Sequence, residues 1–122
     1  MLYQFSHVMM YATDLSRAVK WYTEILGFTP SFVVPDRYAS LRHDAMGCRL
    51  DLHPTEAGGK DVGFGPIPNF LTKDLDETLK ALQAKGVKVG TPRREGGSPR
   101  FVTIWDSEGN ALGLEETMND ER

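Results

Sequence analysis

A single cysteine stands among the 122 residues, so no internal disulfide is available and nothing points to an oxidising compartment. Cys48 is expected as a small buried hydrophobe, not as a nucleophile, and a reduced, cytoplasmic setting is the expectation. Long apolar runs are also missing. The longest spans only a few residues, too few to cross a bilayer, and the opening MLYQFSH has neither the basic nor the apolar stretch of a signal peptide. No membrane association is therefore expected. Positive charge is not in excess: 14 Lys and Arg face 17 Asp and Glu, and the pI near 5.6 leaves no basic stripe for phosphates, so nucleic acid is not expected as a partner. The chain has no GxxxxGK[ST] run, no Cys/His cluster at zinc-finger spacing and no GxSxG elbow, which removes phosphate-loop, zinc-finger and serine-hydrolase readings.

What is present suffices for one domain. At this length a folded chain buries roughly two-thirds of its unfolded surface, and 40% hydrophobic residues can fill a core without staples. FSHVMMYAT reads as a strand that stops at Asp14. DLSRAVKWYTEIL follows with apolar residues at 15, 18, 19, 22, 25 and 26, one helix face, with Asp14 placed to cap the first turn and Gly27 to close the last. FTPSFVV, YASLRH and CRLDLHP read as three strands, and the Gly-rich residues 55–66 as a linker or mobile loop. The order then repeats: IPNFLT, the helix DLDETLKALQAKG with a capping box at Asp74 and Glu77, then VKVGTP, RFVTIW and NALGLEE as strands. Aligning Asp14-Leu15 with Asp74-Leu75 superposes Lys20 on Lys80. The chain therefore reads as a single domain, 1–122, made of two β-α-β-β-β copies: module one about 1–54, the linker 55–66, and module two about 67–117.

TDLSRAVKWYTEILGF in the first copy, KDLDETLKALQAKGV in the second and the turn DSEGN near the end resemble the vicinal oxygen chelate superfamily. This is the glyoxalase, bleomycin-resistance protein and dioxygenase group, whose Asp-Pro-Asp-Gly-Asn turn DSEGN matches with Ser107 in place of proline. The resemblance implies an α+β fold in which two βαβββ modules form half-barrels around a cavity. It also implies, in metal-using members, one divalent cation held by a His or Glu on the first strand and a Glu on the last strand of each module. Such a cation offers open positions to two neighbouring substrate oxygens.

His7 matches the first-strand position of module one, and Asp51 the last-strand carboxylate, one methylene shorter than Glu. The matching count in module two lands on Ile67 and Gly113, neither of which ligates. A displaced set of His7, Asp51, His53 and Glu115 is the alternative, since Glu115 shares a strand face with Gly113, and His53 with Arg49 and Asp51. Each of these residues also has a plainer reading. His7 alone is a hydrogen-bonded core histidine, Asp51 and Arg49 an ion pair, His53 and His43 surface side chains, Tyr22 core, and Trp105 packing near the turn. REGGSPRF, residues 94–101, reads as a hairpin loop or, alternatively, as an arginine clamp on an anion.

The expectation is a protein that binds a small organic molecule in the barrel cavity without a complete metal site and with no cofactor, its pocket drawing on His7, Arg49, Asp51, Asn69 and Trp105. The resemblance implies a homodimer. Rival readings are a metal-dependent lyase or isomerase of the lactoylglutathione lyase type, or an extradiol, ring-cleaving dioxygenase, using Fe, Mn, Ni or Zn. A metal-free enzyme would use His7 as general base, oriented by Asp51. Sequestration of an antibiotic is a further form of the binding reading, and the net −3 lends it only faint support through cationic ligands.

Overall fold

The alternating and helical patterns become ten elements in the computed structural model, which describes residues 1–118: β1 (Val8–Ala12), α1 (Leu15–Glu24), β2 (Thr29–Val34), β3 (Tyr38–His43), β4 (Cys48–Pro54), β5 (Asn69–Thr72), α2 (Leu75–Ala84), β6 (Lys88–Val89), β7 (Phe101–Trp105) and β8 (Ala111–Glu116). The two βαβββ copies build two four-stranded sheets of the same topology, β1-β4-β3-β2 and β5-β8-β7-β6. In each, the first strand pairs in parallel with the last, and the remaining pairs are antiparallel.

Asp14 caps α1 by accepting from the Arg17 amide at 3.0 Å, and Asp74 caps α2 by accepting from the Glu77 amide at 3.0 Å. Gly27, at φ +78°, ends the first helix in the left-handed conformation, and the next amide, Phe28, donates back to the Tyr22 carbonyl at 3.0 Å. α1 lays Leu15, Ala18 and Tyr22 on the buried Met10, Ala12, Ala39, Leu41, Leu50 and Leu52 of the first sheet. α2 lays Leu75, Leu79 and Leu82 against the second sheet, where Val102, Ile104, Leu112 and Leu114 are buried. Each fully buried Leu of this kind contributes roughly 1.5–3 kcal/mol from the area it removes from water.

Contacts divide the chain into two units. The first comprises Met1–Pro66 with Ser107–Asn110, the second Ile67–Asp106 and the described residues from Ala111 on. The turn between β7 and β8 belongs to the first unit because its side chains serve that unit's backbone. Glu108 accepts from the Asp14 amide at 2.8 Å and from Arg17 Nε at 2.8 Å. Asn110 donates to the Tyr11 carbonyl at 2.9 Å and accepts from the Gly63 amide at 2.8 Å.

Several expectations are corrected. Cys48 is exposed, because it opens β4 beside the hairpin instead of facing α1. His43 is half-buried, its ring 5.3 Å from Phe28 and its Nδ1 accepting from the Met46 amide at 3.1 Å, so it closes the end of the core. Residues 55–66, read as a linker or loop, form neither helix nor strand, and hydrogen bonds run within the segment. The Thr55 hydroxyl donates to Asp61, Asp61 accepts from the Glu56 amide at 3.0 Å, and Val62 is buried. VKVGTP yields only the two residues of β6, since Pro92 has no amide hydrogen to extend the ladder. Among the described residues no helix is long and apolar enough to cross a membrane.

Candidate ligand-binding face

The Tyr22 hydroxyl donates to Met10 Sδ at 3.9 Å, which fixes the side of β1 that meets α1. Period-two alternation then sends Met9 and Tyr11 to the opposite face of the first sheet. Register carries Arg49, Asp51 and His53 of β4 and Tyr38, Ser40 and Arg42 of β3 to the same side. His7, one residue before β1, joins them. Its Nε2 lies 3.4 Å from Asp51 Oδ2, and its Nδ1 lies 2.7 Å from the Ser6 hydroxyl.

Asp51 is fully buried, and Arg49 occupies both its oxygens: Nε donates to Oδ1 at 2.9 Å and Nη2 to Oδ2 at 2.8 Å. Arg49 Nη2 also donates to the Tyr38 hydroxyl at 3.1 Å. Burial pushes the Asp51 carboxyl above its ordinary range, and the neighbouring His7 and His53 oppose that shift.

A row of rings crosses all four strands of this face. Tyr11 lies 6.5 Å from His53, His53 5.0 Å from Tyr38, and Tyr38 6.0 Å from Phe32. Of these four the sequence reading singled out only His53. Tyr11, Tyr38 and Phe32 sit on different strands, and only cross-strand register makes them neighbours; strict alternation in YASLRH and CRLDLHP was the signal that put Tyr38 and His53 on one side.

The remaining candidates lie on the second sheet. Asn69 pairs with Gly113, Leu71 with Glu115 and Trp105 with Ala111, so Asn69, Glu115 and Trp105 share the face opposite α2. Glu115 and Trp105 are half-buried, and Lys88 Nζ stands 4.9 Å over the Trp105 ring. Arg100 is not an open clamp, since it pairs with Asp76 at 3.2 Å and with Glu116 at 3.2 Å, and Glu116 also accepts from the Leu75 amide at 2.9 Å.

Strand register also tests the fit of a chelated metal. Met9 pairs with Asp51 in the first sheet, and Asn69 pairs with Gly113 in the second, so Gly113 is the counterpart of Asp51. A Cβ at Gly113 would overlap the Asn69 side-chain amide, which donates to the Ile67 carbonyl at 2.9 Å. That amide fills the space a last-strand carboxylate needs. Ile67, the counterpart of His7, lies exposed before β5. Among the described residues no group of three or more His, Cys, Asp or Glu side chains is arranged to hold a metal ion. The residues present therefore do not assemble a donor set with two ligands from each module.

The profile of the Glyoxalase/Bleomycin resistance protein/Dioxygenase superfamily matches residues 4–114. The chain belongs to this superfamily. Solved structures of the superfamily's fold agree. A member from Sphaerobacter thermophilus DSM 20745 is 25% identical, with a TM-score of 0.80 over 96% of this chain and 100% of that one. TnmS3, an antibiotic binding protein from Streptomyces sp. CB03234, is 24% identical, with a TM-score of 0.76 over 96% and 100%. The fosfomycin resistance protein FosX from Listeria monocytogenes, complexed with Mn(II) and sulfate, is 17% identical, with a TM-score of 0.77 over 100% and 96%. Among curated proteins the comparison finds no match. Within the superfamily, the chain keeps His7 and a carboxylate at 51 in module one and has Ile67 and Gly113 at the corresponding places in module two.

Proposed function

We propose that this superfamily member binds a small organic molecule on the open face of its first sheet and does so without a complete metal site. The observation that carries the reading is the condition of Asp51. Both oxygens of this buried carboxylate are held by a guanidinium, so a cation already occupies the place a metal would need. Beside it the rings of Phe32, Tyr38, His53 and Tyr11 offer stacking surface, and apolar surface with a few fixed polar groups is the composition of small-molecule sites. The name of TnmS3 as an antibiotic binding protein supports a binding role for this fold. A homodimer in the reduced cytoplasm is part of the proposal, and the exposed, unpaired Cys48 supports that setting.

The test is metal content after purification without chelator, then titration with Mn, Fe, Ni and Zn while thermal stability is followed. No stoichiometric metal and no stabilisation is the expected result. One metal per chain, lost in His7→Ala, would replace the proposal with a glyoxalase-type lyase or a dioxygenase.

The His7–Asp51 contact favours one second reading, metal-free acid–base chemistry. With Nε2–H directed at Asp51, Nδ1 is the basic nitrogen, and it becomes available to a substrate proton when the Ser6 hydroxyl turns away. Turnover that falls in both His7→Ala and Asp51→Asn, with a pH profile governed by one imidazole, would establish it.

A further inference from the structure

We propose that the ligand of this face is an aromatic anion, with its ring on the Phe32–Tyr38–His53–Tyr11 row and its carboxylate, phenolate or sulfonate against Arg49. The inference rests on the binding reading above and adds the sign of the ligand's charge.

Charge on the face is one-sided. Asp51 is the only acidic residue in β1 to β4, and it is fully buried beneath the Arg49 fork, so it presents no accessible carboxylate. Arg42, Arg49 and His53 project from the same side, with His7 beside them. Arg42 is occupied by Asp44 at 3.2 Å and by the Ser31 hydroxyl at 3.2 Å at the outer edge. Arg49 is 42% exposed, and its Nη1 has no protein partner among the described residues. The planar fork is thus locked on one edge by Asp51, the second Nη2 hydrogen goes to Tyr38, and both Nη1 hydrogens are left to solvent. That is a positioned pair of N–H donors whose ordering cost is already met within the fold.

Tyr38 joins the two halves of the site. Its hydroxyl accepts from Arg49 Nη2, which leaves its own O–H free to donate beside Nη1, while its ring stands in the aromatic row 5.0 Å from His53. A planar ring bearing one anionic oxygen group therefore meets stacking surface and two donors within the span of one side chain. A cationic ring of the same shape meets the same surface with a guanidinium against its charge and no accessible carboxylate on β1 to β4, the exposed Asp44 lying at the outer edge on Arg42.

The test compares three isosteric probes by calorimetry on the full chain: 1-naphthoate, 1-naphthalenemethanol and 1-naphthylmethylammonium. The expected order is anion, then neutral, then cation, with the anion favoured over the alcohol by about tenfold, as a charge-assisted hydrogen bond provides. Because Arg49→Gln alone strands a buried carboxylate, the informative variant is Arg49→Gln with Asp51→Asn, which keeps the pair hydrogen-bonded and removes both charges. It should bind all three probes within about threefold of one another. Tyr38→Phe should weaken naphthoate more than the alcohol, since the donor it removes is worth more to an anionic oxygen than to a neutral one. Equal binding of the three probes, tighter binding of the ammonium, or an anion preference that survives the double variant overturns the inference and leaves the binding proposal standing. No binding of any probe overturns both.

Discussion

The Asn69 side-chain amide occupies the space that any side chain at position 113 would need. Gly113→Ala is expected to push the Asn69 amide off the Ile67 carbonyl and cost about 1 kcal/mol, the net worth of one hydrogen bond. In an Asn69→Ala background the same change should be neutral or stabilising, since a strand position then gains a side chain without a collision. Urea denaturation of the four proteins of this cycle measures the coupling, and equal costs in both backgrounds would show that the two side chains do not compete. Asp51→Ala belongs to the same scale. It frees the Arg49 fork and His7 together and should destabilise by about 1–3 kcal/mol, less than a fully buried pair because Arg49 reaches water.

Helix ends supply the predictions at the scale of the element. Asp74→Ala removes the acceptor of the Glu77 amide and should cost about 1 kcal/mol in the same assay. At α1 the cap is doubled, because Glu108 also accepts from the Asp14 amide and from Arg17. Burial raises the Glu108 carboxyl, but Arg17, the Asp14 amide and the Ser107 hydroxyl outweigh it and hold the group below the usual carboxylate range. The unfolded chain therefore binds this proton more readily than the folded one. Glu108 contributes stability above its ordinary carboxylate range, and that contribution is lost as pH falls through its lowered folded value. Glu116 is likewise held down by Arg100 and the Leu75 amide. Melting temperature followed from pH 7 into the acid range should fall less steeply in Glu108→Gln than in the parent. An unchanged slope would show that the contact does not bear on acid stability.

At the scale of the molecule, two copies of one βαβββ unit have kept topology and diverged in chemistry. The sheets share strand order, and both helices run ten residues from an aspartate cap, but the places held by His7 and Asp51 in module one are Ile67 and Gly113 in module two. Divergence of this kind is tolerated because α1 and α2 pack on one face of each sheet and leave the other free to change. Sedimentation at micromolar concentration should give a dimer. A monomer alone would remove the homodimer from the proposal.

Periodicity and turn chemistry determined a great deal without any coordinates. The two caps, the glycine ends, and YASLRH and CRLDLHP as strands with the bounds observed are local signals readable from spacing, and the family resemblance implied Ile67 and Gly113 as the counterparts of His7 and Asp51. The exposure of Cys48, the half-burial of His43 and the hydrogen bond from the Gly63 amide to Asn110 were not readable in this way, since each depends on what lies across the fold. The same holds for the candidate site. His7, Arg49 and Asp51 were nameable in advance, but that Arg49 closes on both oxygens of Asp51, and that four rings from four strands form one row, was decided only by register and burial. Strand pairing brings together residues far apart in the chain, and a sequence records which side of a strand a residue takes but not which side chain stands next to it.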